Sequence, residues 1–421
     1  MNPIIHDLPK SRKVRLVCVS DTHNASALTG AFKLPRGDIL VHAGDLSNQG
    51  SLSELRRAAE WIEKTEFQVK IVIAGNHDIT LDQEFYQQYG PYFHNQHPQD
   101  SQECIKLFTE SQNITYLTHS AATVRVPYLD GTEVKLKVFG SPYSPARGRW
   151  AFGYSPEQAT ALWDEVPLDT DVLVTHTPPK YHCDESRDRG AAGCETLRQT
   201  LWRVRPRLAI CGHVHEGRGA ETIRWDLESP NIKYKEHSTR YWNDPGVGNK
   251  QSLLDLSAKG GGPLENDGLT GDLIPSHVDV IRENHTIPTA GHSTLFSNAR
   301  DLPSRPHPTD DGERLASLEH PKTANESHNN SQITNDTFDA DWRTRGLRKT
   351  TRGQGGHPLS GRSDMESLAG RLGRKETCVI NAAIMATSWP HNLGGGKRYN
   401  KPIVVDIDMP VTPIGTEEQR R

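Results

Sequence analysis

Residues 209–217 read AICGHVHEG: a short apolar run that stops at Gly212 and then sets two histidines, His213 and His215, one residue apart. A turn needs only the glycine, so the two imidazoles ask for a reason of their own. In extended chain, residues i and i+2 point the same way, which lets His213 and His215 face one site. Four other apolar runs end in the same manner. VRLVCVS leads into Asp21 and His23, DILVHAG into Asp45, VKIVIAG into Asn76 and His77, and DVLVT into His176. Taken singly, each is an ordinary polar strand end. Five together, each closing on residues that can bind a metal, point to one shared site.

The length and β-branched content of these runs fit buried strands. Between them lie stretches of helical period such as SLSELRRAAEWIEK, which puts Leu55, Ala58, Ala59 and Ile62 on one face behind a Ser51 or Ser53 cap. Strand followed by helix, repeated, gives an α/β fold class. In open α/β sheets ligands bind outside the carboxyl ends of the strands, so the five ends should meet in one crevice. Gly44, Gly75 and Gly212 are expected to turn the backbone sharply beside it. A different pattern, AATVRVPYLDGTEVKLKVFG, alternates on both sides of Asp130-Gly131 and reads as a β-hairpin, supplying antiparallel strands for a second sheet.

Hydrophobic residues make up 34% of the 421, with 35 glycines and 27 prolines, and mean hydropathy is -0.68. Part of the length therefore buries no core. From about Ser257 the periodic pattern dissolves into polar, Gly/Pro-rich chain, and it returns with ETCVINAAIM and KPIVVDIDM. The map that follows is one catalytic domain, residues 13–258 and 376–410, interrupted by a disordered low-complexity insertion, residues 259–375. Within the insertion, scattered histidines and the basic cluster WRTRGLRKTTR read as solvated. The net charge of -4 shows no basic footprint, so no long nucleic acid is expected as a partner. An apolar run starting within about a dozen residues leaves no room for a signal peptide, and no stretch approaches the roughly 18 to 20 apolar residues of a membrane span. The reading is a soluble cytoplasmic protein without membrane contact. Cys18 and Cys211 are then buried reduced thiols, and sequons such as Asn284-His285-Thr286 are idle.

Oxygen and imidazole donors without cysteine suit Mn, Fe or Zn rather than a structural thiolate zinc site. Asp21, His23, Asp45, Asn76, His176, His213 and His215 are too many for one tetrahedral ion. They suit two ions sharing a carboxylate, about 3.5 to 4 Å apart, a spacing that clamps the attacking and leaving oxygens of a phosphate. Hydrolysis of a phosphate ester is the leading chemistry.

The order D-x-H, GD, GNHD, TH, GHVH resembles the calcineurin-like metallophosphoesterase superfamily. The segments THTPPKYHCD, AGCETL and CVINAAIM are similar to its metallophosphoesterase-domain-containing branch, found among class III phosphodiesterase relatives. The resemblance covers about residues 13–225 and 376–410, and implies a two-sheet β-sandwich flanked by helices. Carried over by position, it implies that Asp21, His23 and His215 hold one transition-metal ion, that Asn76, His176 and His213 hold a second, and that Asp45 bridges them. Manganese is the expected metal, with iron or zinc as alternatives. Water activated between the ions would attack phosphorus, with His77 donating a proton to the leaving oxygen and Asp78 orienting it. The protein Ser/Thr phosphatase branch carries Asp-Arg-Gly after its Gly-Asp and ends its third motif in Glu, whereas this chain has GDLSNQGS and GNHD. That counts against a phosphoprotein phosphatase. Arg147 and Arg149 in SPARGRWAFGY are candidate contacts to a substrate phosphate, with solvated loop arginines as the alternative. The expected substrate is a small phosphate ester such as a nucleotide or cyclic nucleotide. A different class also stands: a metal-binding scaffold that recognises protein partners through its insertion.

Overall fold

In chain order the longer strands are β1 (Ser11–Val19), β2 (Ile39–Ala43), β3 (Val69–Ile73), β4 (Thr115–Tyr116), β5 (Ser120–Pro127), β6 (Thr132–Ser141) and β7 (Val172–Thr175). After them come β8 (Leu208–Cys211), β9 (Gly219–Trp225), β10 (Glu236–Tyr241), β11 (Ser252–Leu256), β12 (Glu376–Asn381) and β13 (Ile403–Pro410). The five apolar runs are β1, β2, β3, β7 and β8. The computed structural model describes residues 11–186, 190–226, 232–247, 251–266, 374–386 and 398–415.

The strands form two sheets. The first runs β11-β13-β1-β2-β3-β4 and the second β10-β9-β12-β8-β7-β6, with β5 pairing β6 on a further edge. Alternation along each strand decides what lies between them. In β1, Leu16 and Cys18 turn inward with Val41 and Ile71 of the first sheet, against Leu136, Val174 and Ile210 of the second. Val17 and Val19 turn outward, where Leu55, Ala58 and Ile62 of helix α1 (Leu52–Glu63) cover them. The outer face of the second sheet packs Leu173 and Ala209 against Trp163 of a helix at Pro156–Asp164 and Leu201 of one at Glu195–Val204. The result is the expected α/β sandwich with helices on both faces, and each fully buried aliphatic contributes about 1.5–3 kcal/mol.

Helix α1 begins where its cap predicts. Ser51 accepts from the Glu54 amide while the Glu54 carboxylate accepts from the Ser51 amide at 2.9 Å, a reciprocal capping box. The hairpin also forms, turning at Gly131 with φ +78°.

β12 and β13 do not sit at edges. β12 lies between β8 and β9, and β13 lies between β11 and β1, so the chain beyond the expected insertion completes both sheets. Of residues 259–375, those at 259–266 and 374–375 are built into the fold: the Lys375 amide donates to Glu265 O at 3.3 Å and to Asn266 Oδ1 at 3.0 Å. The remainder, including Asn284 and the basic cluster, lies outside the described residues. All six cysteines are free thiols, with Cys18 and Cys211 buried. No helix among the described residues is long and apolar enough to cross a membrane.

Candidate metal centre

The carboxyl ends of β1, β2, β3, β7 and β8 bring the seven expected ligand residues together. His215 Nε2 lies 3.3 Å from Asp21 Oδ1 and 3.4 Å from His23 Nε2, which makes one group. Asn76 Oδ1 lies 3.0 Å from His176 Nε2 and 2.8 Å from His213 Nδ1, which makes a second. Asp45 stands between them, with Oδ2 3.7 Å from His23 Nε2 and Oδ1 3.4 Å from His176 Nε2. Two donors about 2.1 Å from one tetrahedral ion lie about 3.4 Å apart, which the His215 and Asp45 separations of 3.3 and 3.4 Å match; the two contacts of Asn76 Oδ1 are of hydrogen-bond length.

The tautomers make the same point. His23 Nδ1 meets Ser47 O at 3.1 Å and His176 Nδ1 meets Ala43 O at 2.9 Å. A carbonyl accepts only, so both Nδ1 atoms carry the proton and, in the neutral rings, both Nε2 lone pairs face the cluster. There they confront the oxygens of Asp45 and Asn76. Lone pairs aimed at oxygens in a buried site call for a cation between them, and a ring whose other N–H is tied to a backbone carbonyl is the usual setting of a metal-bound histidine. The electrostatics agree. Burial pushes the imidazoles of His23 to about 4 and His213 to about 3, keeping them neutral as ligands must be. Burial also works against charge on His176, but Asp45 and Asp21 outweigh it and lift that ring to about 9, so without metal its Nε2 carries a proton toward Asp45 and Asn76, in the place a metal ion would take. The carboxylates thus create a site that attracts positive charge, and the donor set fits two transition-metal ions.

How the chain reaches this arrangement differs from the expected i, i+2 alternation. Asp21, His23, Asp45 and His213 take left-handed backbone, with φ of 52°, 42°, 55° and 67°, past the ends of their strands. Such conformations cost about 1–3 kcal/mol each and persist only where surrounding structure enforces them. Coiled backbone, not extended strand, turns each pair toward the centre. The glycines differ too. Gly44 does have φ +96°, but Gly75 and Gly212 are needed for close approach: a Cβ at Gly75 would lie 2.7 Å from His176 Cε1, and one at Gly212 would strike Asp21 Oδ2 and Ser20 Oγ.

His77 sits at the rim, its amide donating to Asp45 Oδ1 at 2.8 Å and its Nδ1 to Asn48 O at 2.8 Å. Its ring meets His23 edge-on at 4.7 Å on one side and Trp150 at 4.1 Å on the other. Asp78, expected to orient His77, does something else. Its buried carboxylate accepts from the amides of Leu46, Ser47 and Gly75 at 3.1, 2.9 and 2.9 Å and from Ser47 Oγ at 2.7 Å. It clamps the loops after β2 and β3 together, and Asn48 holds His77 instead. Arg147 and Arg149 are exposed on their loop, with Arg149 over the Tyr92 ring at 5.3 Å. The neighbour that reaches the centre from that loop is Trp150, an uncharged residue whose ring meets His77 at 4.1 Å.

Asn381, at the end of β12, was also missed. Fully buried, it donates from Nδ2 to Val214 O at 2.8 Å and to Cys183 O at 2.9 Å, and its Oδ1 accepts from the Ala383 amide at 3.1 Å. Val214 lies between His213 and His215, so a residue from the far end of the chain fixes the turn that presents both. No local pattern could have announced it.

A layered α/β sandwich with two facing groups of candidate metal ligands defines the class. The chain belongs to the calcineurin-like phosphoesterase family: the family model matches residues 14–217, and the UPF0046 protein C25E10.12 of Caenorhabditis elegans is 30% identical over 241 residues, 55% of this chain and 79% of the worm protein. Human metallophosphoesterase domain-containing protein 1 is 36% identical over 230 residues, 52% of this chain and 66% of that one. A probable rhamnogalacturonate lyase C of Emericella nidulans is 40% identical over 233 residues, 55% of this chain but 20% of the longer fungal protein. The chain thus spans a fifth of the fungal relative and just under two thirds of the human one.

Proposed function

We propose that the protein is a dinuclear metal-dependent phosphodiesterase that hydrolyses a small phosphate ester, a nucleotide or cyclic nucleotide being the foremost candidate. The observation that carries this reading is Asp45, which offers one oxygen to each of two groups of ligands. In this reading Asp21, His23 and His215 hold one ion, Asn76, His176 and His213 hold the other, and Asp45 bridges. Manganese is the proposed metal, with iron or zinc as alternatives. Bound there, such ions lower the pKa of water toward about 7 and neutralise phosphate charge.

The remaining work falls to the chain. His77, with Nδ1–H tied to Asn48 O, would act in its doubly protonated form, presenting Nε2–H to the leaving oxygen, delivering that proton to it and keeping the one on Nδ1. Trp150 backs the ring and holds its plane. Asp78 keeps the two loops in register, and Asn381 keeps the His213–His215 turn in place. The reading also takes the protein as cytoplasmic, acting without membrane or long nucleic acid.

The test is a screen of the purified chain against phosphomonoesters, linear diesters and cyclic nucleotides with Mn, Fe and Zn in turn. Turnover of a diester, abolished by a chelator and restored by one of the metals, is expected. A fully metal-loaded protein that turns over nothing would instead favour a metal-binding scaffold.

A further inference from the structure

We propose that His77, Trp150 and Phe93 form one wall of a subsite for the leaving group, and that the subsite takes an alcohol carrying a planar aromatic or heteroaromatic ring. The proposal rests on the hydrolytic reading above. Ring contacts run without a gap from the metal ligands outward: His23 to His77 at 4.7 Å, His77 to Trp150 at 4.1 Å with planes 33° apart, and Trp150 to Phe93 at 5.7 Å. Phe93 in turn lines a cavity of about 550 Å³ shared with Ser51, Arg56, His94, Asn95 and Gln96. That volume is in the range of small-molecule sites.

The wall is fixed to the centre. The Ala151 amide, next to Trp150, donates to the backbone oxygen of ligand Asn76 at 3.2 Å, and the Phe152 amide donates to Asp82 Oδ2 at 2.8 Å. Phe93 is braced by Phe85 at 6.1 Å and Tyr92 at 5.0 Å. A phosphoryl group held at the ions would put its leaving oxygen beside His77, and the ring contacts lead from there through Trp150 to Phe93, the one residue of this wall that also lines the cavity. Flat rings gain from aromatic faces in a way that saturated groups of equal size do not. Of the cavity's polar groups, Ser51 Oγ and the Gln99 amide are already paired within the fold, whereas His94 Nε2 is buried with no partner and would gain one from a ring heteroatom but not from an alkyl chain. No carboxylate lines the cavity, while Arg56 does, which suits neutral or anionic groups and disfavours cationic ones.

The experiment uses the metal-loaded full chain with methyl benzyl phosphate and methyl cyclohexylmethyl phosphate, whose leaving alcohols are close in size and acidity. The wild type should show the lower KM for the benzyl ester. Trp150→Ala should shrink the ratio of the two KM values about tenfold, the order expected for one lost stacking contact, and Trp150→Phe should restore most of it. Phe93→Leu gives the same readout if Trp150→Ala fails to fold. A ratio unchanged in folded variants overturns the subsite. If the wild type turns over neither ester, the hydrolytic reading is judged by the wider substrate screen above and the subsite by binding. Calorimetric titration with benzyl and cyclohexylmethyl phosphates then decides the subsite: ring-selective binding lost in Trp150→Ala supports it, and equal binding overturns it.

Discussion

Replacing Asn381 with alanine removes three hydrogen bonds at a fully buried position: two donated by Nδ2, to Val214 O and Cys183 O, and one accepted by Oδ1 from the Ala383 amide. Each backbone group left without a partner costs about 1–3 kcal/mol. Val214 O keeps a bond from the Gly217 amide at 3.0 Å, so two groups, Cys183 O and the Ala383 amide, are orphaned; even at the low end they amount to about 2 kcal/mol, a sizeable part of the roughly 5–15 kcal/mol that typically separates folded from unfolded chain. The loss should also reach the ions. His213 is held at φ +67°, and without the Asn381 tie at Val214 its turn can relax toward ordinary backbone and carry His213 and His215 out of position. Removal of such supporting contacts lowers metal affinity about 10–100-fold. Asn381→Asp should be worse still, because a carboxylate oxygen would face two carbonyl oxygens. Urea unfolding of the metal-free chain gives the stability term, and competition with a chromogenic chelator gives the affinity term. A folded Asn381→Ala protein that loses less than about 1 kcal/mol and keeps wild-type metal affinity would refute the assignment of Asn381 as the support of this turn.

His77→Ala should keep both ions, by elemental analysis, while kcat falls roughly 10²- to 10⁴-fold; esters with good leaving groups should suffer less, and an equal loss across leaving groups would point to phosphate binding instead. His182 supplies a pH signature outside the centre: burial opposes its charge, but Glu221 and Glu236, the latter also held by Arg198, outweigh that and raise it from 6.5 to about 9. A raised histidine contributes stability that is complete below the unfolded value and lost as pH climbs through the folded one, so unfolding free energy should drop between pH 6.5 and 9 by on the order of 2 kcal/mol. His182→Gln should flatten that slope in denaturant titrations, and an unchanged slope would remove His182 as its source. Finally, Lys375 bonds directly to Glu265 and Asn266, so residues 267–373 leave and rejoin the fold at one place; replacing them with a short Gly/Ser bridge should preserve melting temperature and kcat/KM, and a large fall in either would make that segment part of the working enzyme.

The parts of this molecule that were legible in sequence are those with local causes. Runs of Val, Ile and Leu ending in Asp, Asn or His announce both the strands and the residues that gather at their carboxyl ends, because the same few residues bury the core and turn out at the strand end. Ser51 and Glu54 announce α1 through a cap that spans three residues. The unread parts depend on chain that is distant. That β12 slots between β8 and β9, or that β13 pairs with β1 through Arg15 and Asp406 at 2.7 Å, leaves no trace in either segment alone. Asp78 illustrates the opposite error. Adjacent to His77 in sequence, it was given a role beside it, but consecutive residues in this loop diverge, and its carboxylate meets Leu46 and Ser47 from another strand end. Trp150, next to the two arginines of its loop, meets the His77 ring at 4.1 Å, a contact that a pattern of charges in sequence does not signal.

The central claim is that two ions sit on either side of Asp45, and one diffraction measurement addresses it: an anomalous difference map from crystals of the full chain grown with Mn²⁺, recorded near the manganese edge. The account predicts two peaks about 3.5–4 Å apart, one bordered by Asp21, His23 and His215, the other by Asn76, His176 and His213, with an Asp45 oxygen toward each. A single peak at saturating metal, or two that Asp45 does not separate, would contradict it.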